Sequence, residues 1–185
     1  MAFLGIPYTV EVSPVDERLL ALSGLPSKQA MDCAVAKATA VAEAYPEHWV
    51  LGADTIVCID GQILGKPEDR DDAHRLLSML SGRMHIVTTG VCLIRHGQVG
   101  PPPIAEETRV WMMPLTKDRI EAYIDTGEPM DKAGAYGIQG FGGAWIPRIE
   151  GCYFNVMGLP LYRVAQLIES AGIPLGSIAG EAANG

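Results

Sequence analysis

The sequence predicts an α/β domain in which helices flank a mixed central sheet. Two segments with the apolar character of buried strands, 49–59 and 85–95, carry most of this prediction. Segments with apolar residues at helical spacing lie between and after them. Glycine and proline separate the segments, and no repeat or change in composition divides the chain. We therefore expect one domain over residues 1–175 and a flexible tail over 176–185.

The first predicted elements are a strand and a long helix. Apolar and polar residues alternate over 8–12, which favours a short strand. Ser27 is a candidate N-cap for a helix that continues to about Tyr45 and carries small residues along one face. Lys37 lies on or beside that face, so its ammonium group either reaches solvent along the surface or enters a cleft.

The middle of the chain predicts a hairpin and then a helix. Asp60-Gly61 is a strong turn signal. Asp69 is the expected N-cap of the next helix, and Gly82 ends it. Residues 131–143 are rich in glycine, which suits a loop that approaches a ligand closely. The remaining predicted elements are strands over 85–95, 107–113 and 144–149, and helices that begin at Thr116 and near Pro160.

The composition restricts the classes of partner. The formal net charge is −8, which argues against non-specific nucleic-acid binding because that binding needs a basic surface. It leaves open a small phosphate ligand held by a few local cations. No apolar run approaches the roughly 20 residues of a membrane span, and the first residues do not resemble a signal peptide. The four cysteines are dispersed, which predicts buried, reduced thiols in a cytosolic protein.

Asp54 needs the most explanation, because it interrupts the apolar run 50–57. A charged side chain in such a strand is costly to bury unless it is paired, hydrogen-bonded or bound to a metal. Other polar residues also interrupt apolar or glycine-rich segments. The complete set is Glu17, Lys37, Asp54, Thr55, Lys66, Lys132 and Gln139.

This set contains the groups that a magnesium-bound polyphosphate requires. Carboxylates hold the hard cation, phosphate oxygens complete its shell, and lysines neutralise the developing charge. An acid beside the metal can deprotonate an attacking water. Each residue also has an ordinary explanation. Asp54 can cap a turn, and Glu17 can form a solvated pair with Asp16. Lys66 can be a surface lysine, and Gln139 can satisfy loop backbone groups.

Several motifs follow one another in order along the chain. They are Gly-Ala-Asp-Thr-Ile-Val at 52–57, Asp-Gly-Gln-Ile-Leu-Gly-Lys-Pro at 60–67, Leu-Ser-Gly-Arg-Met-His-Ile-Val-Thr-Thr-Gly at 80–90, Tyr-Ile-Asp-Thr-Gly-Glu-Pro at 123–129, Lys-Ala-Gly-Ala-Tyr-Gly-Ile-Gln-Gly at 132–140 and Asn-Val-Met-Gly-Leu-Pro at 155–160. At compatible spacings over residues 4–172, these motifs strongly resemble the Maf family of nucleoside triphosphate pyrophosphatases.

The resemblance implies an α/β fold related to the inosine-triphosphate pyrophosphatases, with the substrate in a cleft between two lobes. It implies hydrolysis of the α–β phosphoanhydride of a nucleoside triphosphate, a divalent metal cofactor (Mg or Mn) and a cytoplasmic location. The implied partner is the nucleoside triphosphate, without nucleic acid or membrane, and a homodimer is compatible with the family.

The resemblance also assigns roles to residues of this chain. Asp54 matches the family's proposed proton acceptor and, with Glu17, is expected to hold the metal. Lys37 and Lys66 match positions that line the metal and phosphate site.

Two further positions are tied to the choice of base. They are Thr55 and Gln139. Asp-Thr at 54–55 followed by Gly-Lys-Pro at 65–67 resembles the branch that acts on dTTP and UTP. A glutamine amide offers both the donor and the acceptor that the edge of uracil or thymine requires.

The chain departs from the family pattern at its start. Family members begin with a strand and a Ser-x-Ser-Pro-Arg-Arg loop, which would supply two arginines to the phosphates. We expect that the true start lies upstream of Met1; the alternative is a truncated and impaired enzyme. Two other readings stay open: a non-catalytic nucleotide-binding or cell-division regulatory protein, and a pyrophosphatase that prefers 7-methyl-GTP.

Overall fold

The computed structural model describes residues 4–16, 20 and 23–175. Within these residues, a six-stranded sheet is flanked by helices, which confirms the predicted α/β class. The helices are α1 (Pro26–Ala42), α2 (Arg70–Leu80), α3 (Lys117–Asp125), α4 (Tyr153–Val156) and α5 (Leu161–Ser170). The strands are β1 (Val50–Ile59), β2 (Gln62–Leu64), β3 (Met84–Arg95), β4 (Gln98–Val99), β5 (Ile104–Trp111) and β6 (Arg148–Glu150).

The sheet differs from the mixed sheet that the sequence predicted. Its strand order is β2-β1-β3-β5-β6, with β4 beside β3, and every pairing between described strands is antiparallel. Two-residue turns join β1 to β2 and β3 to β4, and such turns can only reverse the chain. The connection from β1 through β2 and α2 returns the chain so that β3 also runs against β1.

The predicted strand over 8–12 is wrong. These residues belong to no helix or strand, and Tyr8, Val10 and Val12 are 54%, 80% and 90% exposed. An alternating segment becomes a strand only if it can pair with a sheet edge and pack its apolar side chains. The described strands pair with one another and not with residues 8–12. The expected tail over 176–185 lies outside the described residues.

The turn and capping predictions are largely confirmed. Asp60 and Gly61 both have positive φ, as a two-residue hairpin turn requires. The Asp69 side chain accepts from the N–H of Asp72 at 2.8 Å. Ser27, in contrast, is not a cap, because α1 already begins at Pro26, whose missing N–H needs no partner there.

Helix α1 packs unusually close to β1 and β3. Its buried face consists of Ala30, Ala34 and Ala38, together with a thiol and a further alanine. A Cβ on Gly52 or Gly90 would lie less than 3.0 Å from the main chain of this helix. In the β1–β3 ladder, Gly52 is paired with Cys92 and Gly90 is paired with Asp54. The two glycines therefore set the distance between α1 and the part of the sheet that contains Asp54.

The opposite face of the sheet carries the larger core. There, α2 and α3 pack on β1, β3 and β5 around leucine, isoleucine and tyrosine side chains, while α5 covers Val91 and Leu93. The cysteines are free, and Cys33, Cys58 and Cys92 are buried, as expected. None of the helices that the structure describes combines the length and apolar character needed to cross a membrane.

A histidine lies in the larger core. His85 is 1% exposed and its Nε2 lies 2.7 Å from the hydroxyl of the buried Tyr136. Burial lowers the pKa of His85 to about 4, because the charged imidazolium loses its hydration.

Replacing Gly90 by alanine is expected to destabilise the protein by about 2 kcal/mol, because the added methyl group collides with the α1 backbone. Urea unfolding measures the change. Gly65→Ala is the control, since a Cβ there meets nothing within 4 Å. Wild-type stability in Gly90→Ala would show that α1 is not held this closely.

His85 is expected to make stability depend on pH between about 6.5 and 4. In this window the unfolded chain binds a proton at His85 and the folded chain does not, so the free energy of unfolding falls as the pH falls, by up to about 3 kcal/mol. Urea unfolding of wild type and His85→Gln at several pH values measures this, and the variant should show the shallower slope. His96→Asn, at an exposed turn, is the control and should follow wild type. Parallel slopes for wild type and His85→Gln would contradict the assignment.

Candidate active site

A cavity of about 790 Å³ lies along the outer edge of β1. Strand β2 pairs only with Val57, Cys58 and Ile59, so in the described part of the chain the preceding segment of β1 has no strand on that side. The cavity wall comes from α1, β1, the segment after β2, the loop over 128–140 and the end of α4. Because successive residues of a strand point to opposite faces, Asp54 and Thr55 reach this cavity from different faces of the sheet.

Asp54 lies in the middle of β1 and is paired with a lysine. The carboxylate is 8% exposed, and its Oδ1 lies 2.5 Å from Nζ of Lys37. The turn-capping explanation is wrong, because Asp54 is aligned with Gly90 inside the β1–β3 ladder. The lysine compensates the buried charge. Asp54 is therefore paired, as a carboxylate in an apolar strand needs to be.

The close packing of α1 places Lys37 beside the acid. Ala30, Ala34 and Ala38 lie against the sheet, and Lys37 is at the border of this face, three residues after Ala34. The Lys37 side chain is 22% exposed. Of the two positions that the sequence allowed for it, the cleft is the one observed.

Lys66 and Lys132 line another part of the cavity wall. The N–H of Gly134 donates to the carbonyl of Gly65 at 3.0 Å, which joins the segment after β2 to the loop that carries Lys132. Lys132 pairs with Asp131 at 2.6 Å and holds the pKa of that carboxyl below its usual range; Lys66 contributes to the same effect. Two ammonium groups therefore act on one region of the cavity.

Gln139 is exposed at the cavity wall, in the glycine-rich loop. The backbone of this loop is bound by Glu128, not by Gln139 as the sequence allowed. The Glu128 carboxylate accepts from the N–H of Phe141 at 3.0 Å and from the hydroxyl of Tyr123 at 2.7 Å. That hydroxyl in turn accepts from the N–H of Gly137 at 3.2 Å.

Gly140 leaves room for the Glu128 carboxylate. A Cβ at this position would overlap the carboxylate, so a side chain there would push the acid away from its loop donors. Burial raises the pKa of Glu128, but the Tyr123 hydroxyl and the loop N–H groups outweigh it, and the pKa lies below its usual range. Glu128 was not among the residues predicted from the sequence, although it stands between a helix-ending glycine and a glycine-rich loop.

Thr55 approaches the cavity from the face that α4 covers. Its hydroxyl lies 2.9 Å from that of Thr89, and Thr89 contacts Asn155 of α4, a helix that the sequence analysis did not predict. The structure thus brings Lys37, Asp54, Thr55, Lys66 and Gln139 to one cavity.

Of the two predicted metal ligands, only Asp54 lies within the described residues. Glu17 lies outside the described residues, and within the described ranges no cluster of three or more His, Cys, Asp or Glu could hold a metal ion. Mg²⁺ is commonly held by one or two carboxylates together with substrate phosphates and water. The buried Asp54 carboxylate is a donor of this kind, and it lies in a cavity that three lysines also line.

Comparison with known proteins shows the family of this chain. The family model described as Maf-like protein matches residues 1–171. The chain belongs to the Maf family. Proteins named dTTP/UTP pyrophosphatase are similar to this Maf chain. The one from Symbiobacterium thermophilum is 48% identical over 93% of this chain and 87% of that protein. Those from Syntrophomonas wolfei and Moorella thermoacetica are 47% and 46% identical, over 91% and 94% of this chain and 89% of each protein.

In this Maf protein, Glu128→Gln is expected to loosen the loop that carries Gln139. The amide keeps one acceptor oxygen but presents an NH₂ group to donors that now bind a carboxylate, so one loop N–H loses its partner. We expect nucleotide binding to weaken by roughly ten-fold, with a smaller loss of thermal stability. Isothermal titration with a non-hydrolysable UTP analogue measures the binding.

Glu106→Gln is the control for this change, because Glu106 pairs with Arg163 away from the cavity. Binding that is equal in Glu128→Gln and wild type would show that the loop does not depend on the carboxylate.

Proposed function

We propose that this chain hydrolyses dTTP and UTP at the α–β phosphoanhydride and releases the nucleoside monophosphate and pyrophosphate. Relatives at 46–48% identity over most of the chain carry the name dTTP/UTP pyrophosphatase. The structural observation that supports the proposal best is the Asp54–Lys37 pair in the wall of a cavity large enough for a nucleotide.

Asp54 is proposed as the proton acceptor for the attacking water. Its carboxylate is fixed by the β1–β3 ladder and by Lys37, so its orientation is set before substrate binds. The water loses its proton to Asp54 as its oxygen attacks the α-phosphorus, and the bond to the pyrophosphate oxygen breaks. The low exposure of Asp54 limits competing bulk water at this atom.

The lysines are proposed to bind the triphosphate. Lys37, Lys66 and Lys132 all line the cavity, and their charges oppose the negative charge that grows on the departing pyrophosphate. Compact ammonium groups suit non-bridging phosphate oxygens, with which they interact as point charges.

A divalent cation, Mg or Mn, is proposed as the cofactor. Asp54 would hold it together with Glu17, whose place in the structure is outside the described residues. When bound, the cation would polarise the phosphate and lower the pKa of a bound water. The cytoplasmic location and the two-lobed arrangement around the substrate stay predictions.

Gln139 and Thr55 are proposed to recognise the base. Both residues line the same cavity. Gln139 lies in the loop that Glu128 binds, and Thr55 lies on the face of the sheet that α4 covers. An amide pairs with a carbonyl and an N–H on one edge, as uracil and thymine present them.

The purified protein with magnesium or manganese is expected to release pyrophosphate from UTP and dTTP faster than from CTP, GTP or 7-methyl-GTP. Asp54→Asn should lower kcat by at least about 100-fold, because the amide cannot accept the water proton. Asp60→Asn is the matched control: the same chemical change six residues away, at an exposed turn that tolerates asparagine.

Other outcomes would redirect the assignment. Binding of UTP without turnover would support a regulatory nucleotide-binding protein, and preference for 7-methyl-GTP would move the chain to another branch. Full activity of a folded Asp54→Asn variant would remove Asp54 from the mechanism.

A further inference from the structure

A chain of hydrogen bonds runs from the cavity into the core behind Thr55. The hydroxyl of Thr55 lies 2.9 Å from the hydroxyl of Thr89, its neighbour across the β1–β3 ladder. The hydroxyl of Thr89 also lies 3.0 Å from the main-chain carbonyl of Asn155. Thr89 and Asn155 are fully buried, and only Thr55 reaches the cavity.

The chemistry of these groups fixes the direction of the chain. A carbonyl oxygen can only accept, so the single hydroxyl proton of Thr89 must go to Asn155. Thr89 then has no proton left for Thr55, and in the contact between the two hydroxyls Thr55 must be the donor. The Thr55 oxygen is left with lone pairs alone to offer to the cavity.

The end of this chain is firmly anchored. The Asn155 side chain accepts from the N–H of Thr89 at 3.1 Å and donates to the carbonyl of Val87 and the hydroxyl of Thr108, both at 2.9 Å. The other lone pair of the Asn155 carbonyl accepts from the N–H of Gly158 at 2.9 Å. Because Thr89 has a single hydroxyl proton, reversal of the chain would cost the buried hydrogen bond from Thr89 to Asn155.

Space for a ligand is kept open in front of the Thr55 hydroxyl. Gly158 has φ of +97°, and a Cβ there would lie 3.3 Å from the Thr55 oxygen. Met157 and Gly158 form the cavity wall at this point. A side chain at position 158 would cover the oxygen that the hydrogen-bond chain prepares.

We propose that Thr89 and the Asn155 carbonyl hold the Thr55 hydroxyl as an acceptor toward the cavity, and that this polarity selects pyrimidine bases with a protonated N3. Uracil and thymine carry N3–H, which donates to Thr55. Cytosine carries a lone pair at N3, which faces the lone pairs of Thr55 and is disfavoured. Thr89 is a positioning residue in this scheme. The inference rests on the proposed pyrimidine nucleotide substrate.

Thr89→Val tests the polarity at constant side-chain shape. Without the Thr89 oxygen, the Thr55 hydroxyl can rotate and donate to cytosine. We expect the ratio of kcat/KM for UTP over CTP to fall by roughly ten-fold, partly through improved use of CTP. A purely structural role for Thr89 would lower both values together and leave the ratio unchanged, which would overturn the proposal.

Thr88→Val is the matched control. Thr88 is the preceding residue of β3, is also fully buried and points to the other face, and its hydroxyl has no hydrogen-bond partner in the described part of the protein. This variant should keep the wild-type ratio of UTP to CTP. Thr89→Ser, which restores the hydroxyl, should keep it as well. Loss of discrimination in either variant would overturn the proposal.

A binding measurement separates this inference from the proposed activity. Dissociation constants of α,β-methylene UTP and CTP, measured by calorimetry on wild type and Thr89→Val, report base choice without turnover. Thr89→Ala, which removes the same hydroxyl, carries the test if Thr89→Val does not fold. If wild type prefers the UTP analogue but turns over no nucleotide, the proposed hydrolysis fails and the inference stands. If the preference survives loss of the Thr89 hydroxyl, the inference fails alone.

Discussion

The close contact between α1 and the sheet at Gly52 and Gly90 controls the rest of the site. Because neither residue has a side chain, the alanine face of α1 lies directly on the backbones of β1 and β3. This distance is what allows the short reach from Lys37 to Asp54, and the lysine in turn makes a buried carboxylate tolerable in the middle of a strand. The close packing of α1 on the sheet thus determines where the charges of Lys37 and Asp54 lie in the cavity.

The alternation of a single strand divides the cavity into two chemical regions. Asp54 meets α1 on one face, where the acid and lysine are suited to phosphate chemistry. Thr55 meets β3 and α4 on the other face, where neutral hydroxyls and carbonyls are suited to a base. Since the two residues are neighbours on a strand whose edge is open at this point, both faces serve one cavity.

Acceptors outside the proposed catalytic and base-recognition residues organise much of the wall. Glu128 binds the N–H groups of the glycine-rich loop, and the Asn155 carbonyl directs the hydroxyl of Thr89. Both are main-chain-to-side-chain contacts between segments distant in sequence. They fix the loop and the hydroxyl before a nucleotide arrives, which reduces the ordering cost of binding.

The sequence by itself determined the strands β1 and β3, the turn at Asp60-Gly61, the caps of α2 and α3, and the family, because these depend on local patterns and motifs. It also singled out five residues that the structure brings to one cavity, and their roles stay predictions. It could not determine the antiparallel pairing throughout the described sheet, the absence of a strand over 8–12 or the role of Glu128. Those depend on which distant segments meet: a strand exists only where an edge receives it, and a carboxylate becomes a loop anchor only where three donors converge on it. Tertiary structure also decided the polarity of Thr55, since the direction of a hydroxyl is set by its partners and not by its neighbours in sequence.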